Sequence, residues 1–137
     1  MSARTKARKR ALDVLYSADV REQTIADALV AAQRLADQEP QRAGSWGYAR
    51  EIVLGVQENL PEIDELIETY AQGWTIARMP AVDRALIRIG IWEVQFNPEV
   101  PDSAAIAEAV ESATVHSTDD SARFINGLLA RISGLKD

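Results

Sequence analysis

Residues 80–95 read PAVDRALIRIGIWEVQ, and this stretch decides the fold. Proline suits the first turn of a helix, where its missing N–H costs nothing. After it, apolar residues occupy most of the helical circumference, and only Arg84, Arg88 and Gln95 share a polar stripe. A helix apolar nearly all round is a buried one. The spacing therefore predicts a central helix over 80–95 with other helices packed around Val82, Leu86, Ile89 and Ile91. Glu93 falls among Val82, Leu86 and Ile89, so it too should be buried, and a buried carboxylate requires hydrogen-bond partners. Arg or Tyr side chains, or free backbone amides at a helix start, could supply them, which favours a structural role over that of a catalytic acid.

Working outward, apolar residues recur at helical spacing on both sides. A first helix is expected over Arg4–Val20 with Ala7, Ala11, Val14, Leu15 and Ala18 on one stripe. Thr24 caps a second helix, with Ile25, Ala28, Leu29, Ala32 and Leu35 inward, and the polar stretch from Asp37 to Gly44 ends it. Ser45 caps a third, with Ala49, Ile52, Val53 and Val56 inward. Pro61 marks the start of a fourth, containing Ile63, Leu66, Ile67 and Tyr70, and Gly73–Met79 is a connector. Beyond the central helix, Asn97-Pro98 and Val100-Pro101 break the chain. Asp102 or Ser103 then caps a sixth helix to about Val115, and Asp120 or Ser121 caps a seventh ending near Gly134. No stretch alternates with period two for long enough to make a strand. The expected fold is all-α, about seven helices in one domain over 1–137.

Composition narrows the chemistry. The chain has 137 residues, 47% hydrophobic and 26% charged, with no Cys and one His, His116. Disulfides, Cys-containing metal sites, cysteine nucleophiles and paired-histidine mechanisms are excluded. His116 reads as a C-terminal cap or surface residue. There is no glycine-rich phosphate loop, no cluster of metal ligands and no nucleophile beside a base, so no catalytic residue, metal or cofactor is expected. Neither a signal segment nor the roughly 18 consecutive apolar residues of a membrane helix is present. A cytoplasmic protein with no membrane partner is the expectation.

Net charge is −6, but it is distributed unevenly. The first ten residues hold Arg4, Lys6, Arg8, Lys9 and Arg10 with no acid, leaving 10 basic and 21 acidic residues for the rest. A basic arm on an acidic body suits a protein that meets a polyanion at one place. Tyr16 shares a helix face with Lys9 and lies far from the apolar stripe. An exposed ring beside cations is equipped for single-stranded RNA, unless Tyr16 packs on a neighbouring helix instead. In the seventh helix Phe124, Gly127 and Arg131 share one flank, where the small residue leaves room for a flat ligand, and Asp120 reads first as part of the helix start.

The ordered set of motifs resembles the NusB family. The basic run leading into Ala11-Leu12-Asp13-Val14-Leu15-Tyr16 comes first, then Trp74–Met79 and Val82-Asp83-Arg84-Ala85-Leu86-Ile87-Arg88-Ile89 with Trp92-Glu93. Val100-Pro101, Ala105-Ile106 and Glu108-Ala109-Val110 follow, then Asp120-Ser121 with Phe124-Ile125-Asn126-Gly127-Leu128-Leu129. The resemblance implies two orthogonally packed halves, about 1–72 and 73–137, and no catalysis. It implies a transcription antitermination factor that binds single-stranded boxA RNA of ribosomal RNA transcripts with NusE, a small-subunit ribosomal protein. Through that complex it would meet NusA, NusG and RNA polymerase. Carried over, Arg4, Lys6, Arg8, Lys9, Arg10 and Tyr16 match the family's RNA contact, Asp120 and Phe124 lie near the RNA surface, and Asp83, Arg84 and Arg88 match the region that meets NusE. In the sixth helix, Ala107, Ser112, Thr114 and His116 stand where many family members have Asn, Leu, Lys and an aromatic. An apolar fifth-helix surface or the RNA face could also self-associate, so a homodimer stays open.

Two other readings remain. One is the RNA-binding domain of a ribosomal RNA cytosine methyltransferase. With no methyl-donor-binding domain in these 137 residues, it requires the chain to be a fragment. The other is a structural helix bundle with an inert basic tail.

Overall fold

A computed structural model describes residues 2–136, apart from the side chain of residue 42. Among the described residues there are seven α-helices and no strand: α1 (Ala3–Val20), α2 (Ile25–Asp37), α3 (Ala43–Glu58), α4 (Leu60–Tyr70), α5 (Ala81–Phe96), α6 (Asp102–His116) and α7 (Asp119–Ser133). Single 3₁₀ turns follow at Pro40–Arg42, Ile76–Arg78 and Gly134–Lys136.

The expected central helix is central. Ten of the 16 residues of α5 are buried, and it packs against α1, α3, α4, α6 and α7. On one side α1 lies along α3 with α2 beside both; on the other α6 pairs with α7. Ala7, Ala11, Val14, Leu15 and Ala18 of α1 are all buried, as are Ala49, Ile52, Val53 and Val56 of α3. Two glycines set the distances between helices. A Cβ on Gly90 would sit 2.7 Å from a methyl of Leu129, so α7 can lie close on α5 only where that carbon is missing. A Cβ on Gly55 would fall 1.9 Å from Nε1 of the buried Trp92 ring.

Several local expectations shift, each for an identifiable reason. Thr24 caps α2 as read, its hydroxyl accepting from the Asp27 amide at 3.0 Å. Ser45, expected as the cap of α3, instead lies inside it: the 3₁₀ turn at Pro40–Arg42 runs straight into the helix, with Ala43 already in helical backbone. The cap of α7 is Thr118 rather than Asp120 or Ser121. Its hydroxyl accepts from the Ser121 amide at 3.0 Å, while the hydroxyl of Ser121 is turned inward to Asp83. Pro101 occupies the cap position of α6, so Asp102 is its first helical residue and its carboxylate reaches the chain's end, accepting from Ser133 at 2.5 Å and Lys136 at 2.8 Å. Leu35, expected inward, is 62% exposed because the buried stripe of α2 drifts from Ala28 through Ala32 to Ala36. Val82 is half-buried rather than central.

Replacing Gly55 with Ala tests the closest of these approaches. Overpacking a filled core typically costs about 1–3 kcal/mol, and the clash with a ring held on all sides puts Gly55→Ala at the upper end. A fall of that size in the urea-unfolding free energy is expected; an unchanged midpoint would mean that α3 and α5 are not in this contact.

Candidate nucleic-acid interface

The site is organised from a buried acid. Glu93 on α5 is 1% exposed and receives hydrogen bonds from two other helices. Arg8 of α1 clamps it in the two-pronged manner that a guanidinium allows, Nε donating to Oε1 at 2.8 Å and Nη2 to Oε2 at 2.9 Å. The Tyr48 hydroxyl of α3 donates to Oε2 at 2.5 Å and accepts from the Asn97 side-chain amide at 3.1 Å. Glu108 of α6 lies 3.3 Å from Arg8 and accepts from the Thr5 hydroxyl at 2.7 Å. The expectation that Glu93 is buried beside an Arg or a Tyr is met by both at once. Burial works against the Arg8 charge, but the hydrogen bond and charge of Glu93, with Glu108 behind it, outweigh this and raise its pKa. Burial, reinforced by the hydrogen bond to Glu93 and its charge, pushes the Tyr48 phenol well above its ordinary value.

This network splits the five-cation arm. Arg8, expected among the phosphate ligands, has a side chain only 12% exposed and committed inward. Arg10 is largely covered, stacked 5.9 Å over the Trp46 ring and 3.8 Å from Glu39. Arg4 lies 5.1 Å over the Tyr48 ring, with Glu99 at 3.9 Å, and keeps an open side. Lys6 and Lys9 are exposed, and Tyr16 is 41% exposed. At 3.6 residues per turn, Lys6, Lys9 and Tyr16 fall within about 80° of arc, so they form one face. Asp13 shares that arc and takes Lys9 in a surface ion pair at 2.6 Å. A pair of that kind is worth about 0.3–0.5 kcal/mol and yields readily to a phosphate.

The second group of candidates lies on α7, which packs on α5 and α6. Asp120 is exposed and paired with Arg123. Phe124 is half-buried against Trp74, ring centroids 5.1 Å apart and planes inclined by 42°. Trp74 is 38% exposed whereas Trp46 and Trp92 are buried, so the open aromatic step belongs to Trp74 as much as to Phe124. The sequence places Trp74 in a connector and in the family motif Trp74–Met79 but not among the site residues; the available signal is a tryptophan among turn residues, where no core needs one. The room expected over Gly127 is taken by Arg131 itself, which lies beside the glycine and donates to the Tyr70 carbonyl at 3.3 Å.

The polar stripe on α5 is only partly open, Arg84, Arg88 and Gln95 being half-buried. Asp83 is 0% exposed and accepts from Ser117 at 2.7 Å and Ser121 at 2.6 Å, so it pins the α6–α7 junction from beneath and carries no face outward. Arg84 donates to Asp19 of α1 at 2.8 Å and to the Ile76 carbonyl at 2.9 Å. Arg88 forks onto Asp64 of α4 at 3.0 and 3.1 Å. Both arginines are partly covered by these acids. His116 is exposed at the end of α6. No group of three or more potential metal ligands comes together among the described residues, and no helix of the structure is long and apolar enough to cross a membrane.

The NusB family model matches residues 5–134, and the chain belongs to that family. Its relatives include the transcription antitermination protein NusB of Leifsonia xyli subsp. xyli (strain CTCB07), 68% identical over 133 residues, which cover 97% of this chain and 92% of that protein. Among solved structures, T. maritima NusB superposes with a TM-score of 0.83 at 29% identity, covering 96% of this chain and 90% of that one. The fold is also that of a crystal structure of antitermination factors NusB and NusE in complex with dsRNA, with a TM-score of 0.84 at 24% identity and 98% of each chain covered.

The buried phenol gives a test. In spectrophotometric titration, the phenolate signal lost in Tyr48→Phe should be one that wild type develops only above the ordinary tyrosine range near pH 10. A folded pKa raised above the unfolded one stabilises below the unfolded value and is lost as pH rises. Wild type should therefore lead Tyr48→Phe by about 1.5–3 kcal/mol at neutral pH, a lead that shrinks only above about pH 10. Equal stability at neutral pH would remove Tyr48 from the network.

Proposed function

We propose that this NusB-family chain is a noncatalytic, cytoplasmic transcription antitermination protein that binds single-stranded boxA RNA of ribosomal RNA transcripts together with NusE, and through that complex meets NusA, NusG and RNA polymerase. The observation that carries the reading is the exposed Lys6–Lys9–Tyr16 face, cation and ring side by side on a helix held rigid by the buried Arg8–Glu93 pair. Support also comes from the name of the Leifsonia relative, and from a solved NusB of the same fold that is in complex with NusE and dsRNA.

In this reading Lys6 and Lys9, with Arg4 at the flank, neutralise phosphates while Tyr16 stacks on a base. Arg8 is a positioning residue. Asp120, Phe124 and Trp74 extend the RNA surface along the second half of the chain, from about residue 73. NusE meets the α5 stripe through Arg84 and Arg88 with their acids Asp19 and Asp64, while Asp83 acts from within by holding the α6–α7 junction.

Fluorescence anisotropy of labelled boxA RNA against a scrambled strand, with and without NusE and at two salt concentrations, tests this. Tighter binding to boxA that strengthens with NusE is expected. The double variant Lys6→Glu/Lys9→Glu should weaken binding and flatten the log–log salt slope by about 1.4, at about 0.7 per lost single-strand phosphate contact. Weak, salt-insensitive binding that is equal for both strands would overturn the reading. Replacing Arg84 and Arg88 together should weaken NusE binding, and unchanged heterodimer formation would move that interface elsewhere.

A further inference from the structure

A cleft of about 310 Å³ opens between the first turns of α1, the flank of α5 and the second half of α6. Its floor is apolar, built from Leu86 and Ile89 of α5, and Ala109 and Val115 of α6 form its wall. Leu86 and Ile89 lie almost wholly buried at its base, each 4% exposed, the α6 residues Ala109 and Ser112 beside them are small, and His116 lies at the exposed end. Val115 is 64% exposed, leaving an aliphatic lip on the open side.

The polar groups are unlike those of a phosphate site. Glu111 and Ser112 line the cleft and make no hydrogen bond or ion pair among the described residues, so both offer acceptors. Glu108 and Arg8 also line it, but they are engaged with Thr5 and Glu93. The one exposed cation at the rim is Lys9, which belongs to the face shared with Lys6 and Tyr16. Apolar walls, hydrogen-bond acceptors at the edge and a cation at the mouth match a flat heterocycle whose edge donates and whose attached phosphate stays outside. The volume is at the lower bound of ordinary ligand sites and suits one nucleoside. Adenine, cytosine and guanine carry an exocyclic amino donor for the Glu111 carboxylate; uracil has carbonyl oxygens in place of that group and only its ring N3–H, flanked by both carbonyls, to donate.

We propose that this α1–α5–α6 cleft takes one amino-bearing nucleobase, turned out of an RNA strand whose phosphates lie on Lys6 and Lys9. This rests on the RNA-binding reading above. In a single strand the base has little stacking to give up, so covering the exposed Val115 and the apolar lining beside it is favourable.

The test uses the full chain with a set of boxA RNAs, each carrying one abasic residue, and two variants. Ser112→Leu fills the cleft, with urea unfolding as the check that the fold is kept; Glu111→Gln is a surface change that removes the edge charge and gives the edge an amide donor beside its acceptor. In wild type one abasic position should weaken binding about tenfold, the low end of what a buried or stacked base contributes. Ser112→Leu should weaken binding to intact RNA by a similar factor, lose its sensitivity at that one position and leave the salt slope as in wild type. Uracil at that position should be disfavoured by wild type and less so by Glu111→Gln. If Ser112→Leu binds every RNA as wild type does, or if no abasic position is silenced, the proposal is overturned while the salt-dependent Lys6 and Lys9 contact stands. If Lys6→Glu/Lys9→Glu also leaves binding unchanged, the RNA-binding reading falls, and the cleft assignment with it.

Discussion

A carboxylate in the middle of the central helix constrains everything around it. Taking Glu93 out of water costs several kcal/mol, on the order of what a whole domain has in reserve, unless its oxygens are fully hydrogen-bonded. Three donors meet that demand, two from Arg8 and one from Tyr48, and they come from α1 and α3. Removing either partner would leave charge buried without compensation. The pair therefore specifies geometry more than it adds stability: α1 can sit on α5 only in the register that brings Arg8 to Glu93.

Asp83 repeats the device ten residues earlier with different chemistry. Its partners are two hydroxyls, Ser117 and Ser121, which can approach to 2.6–2.7 Å and need little space. Such short side chains suit a place where α6 turns into α7 over only two residues, Ser117 and Thr118. One helix thus holds an acid towards each side of the molecule: Glu93 fixes α1 and α3, and Asp83 fixes the start of α7. Both candidate RNA surfaces, the Lys6–Lys9–Tyr16 face and the Asp120–Phe124 stretch with Trp74, are positioned by these two buried groups.

The helices were legible because burial leaves a periodic trace, and the central helix most of all, since apolar residues on nearly all sides admit no other place for it. Helix starts were less legible. Thr118 and Ser121 both carry hydroxyls, and only the tertiary demand of Asp83 decides which one caps. The same holds for Arg8. Within a run of five cations nothing local distinguishes an anchor from a phosphate ligand, and the missing information lies in Glu93, 85 residues away. Both members of the pair stood out separately, one as a buried acid in need of a partner and one as a cation on a basic helix. Joining them required the α1–α5 register, which no local pattern encodes. Trp74 was obscured for a related reason, since its meaning depends on Phe124 packing beside it.

Turning Arg8 inward also changes how an acidic protein meets a polyanion. Beyond the first ten residues acids outnumber bases 21 to 10, so most of the surface repels a phosphate backbone. If all five cations of α1 faced outward they would form a diffuse positive collar, able to hold a strand in many orientations. With Arg8 buried and Arg10 mostly covered, the outward charge contracts to Lys6 and Lys9 beside Tyr16, with Arg4 to one side. Fewer contacts lower nonspecific affinity, and the surrounding acids penalise misplaced strands, which is how charge contributes to specificity rather than to strength. A weak but oriented contact of this kind suits a protein that shares its RNA with a partner, because the second surface then supplies the affinity that the first withholds.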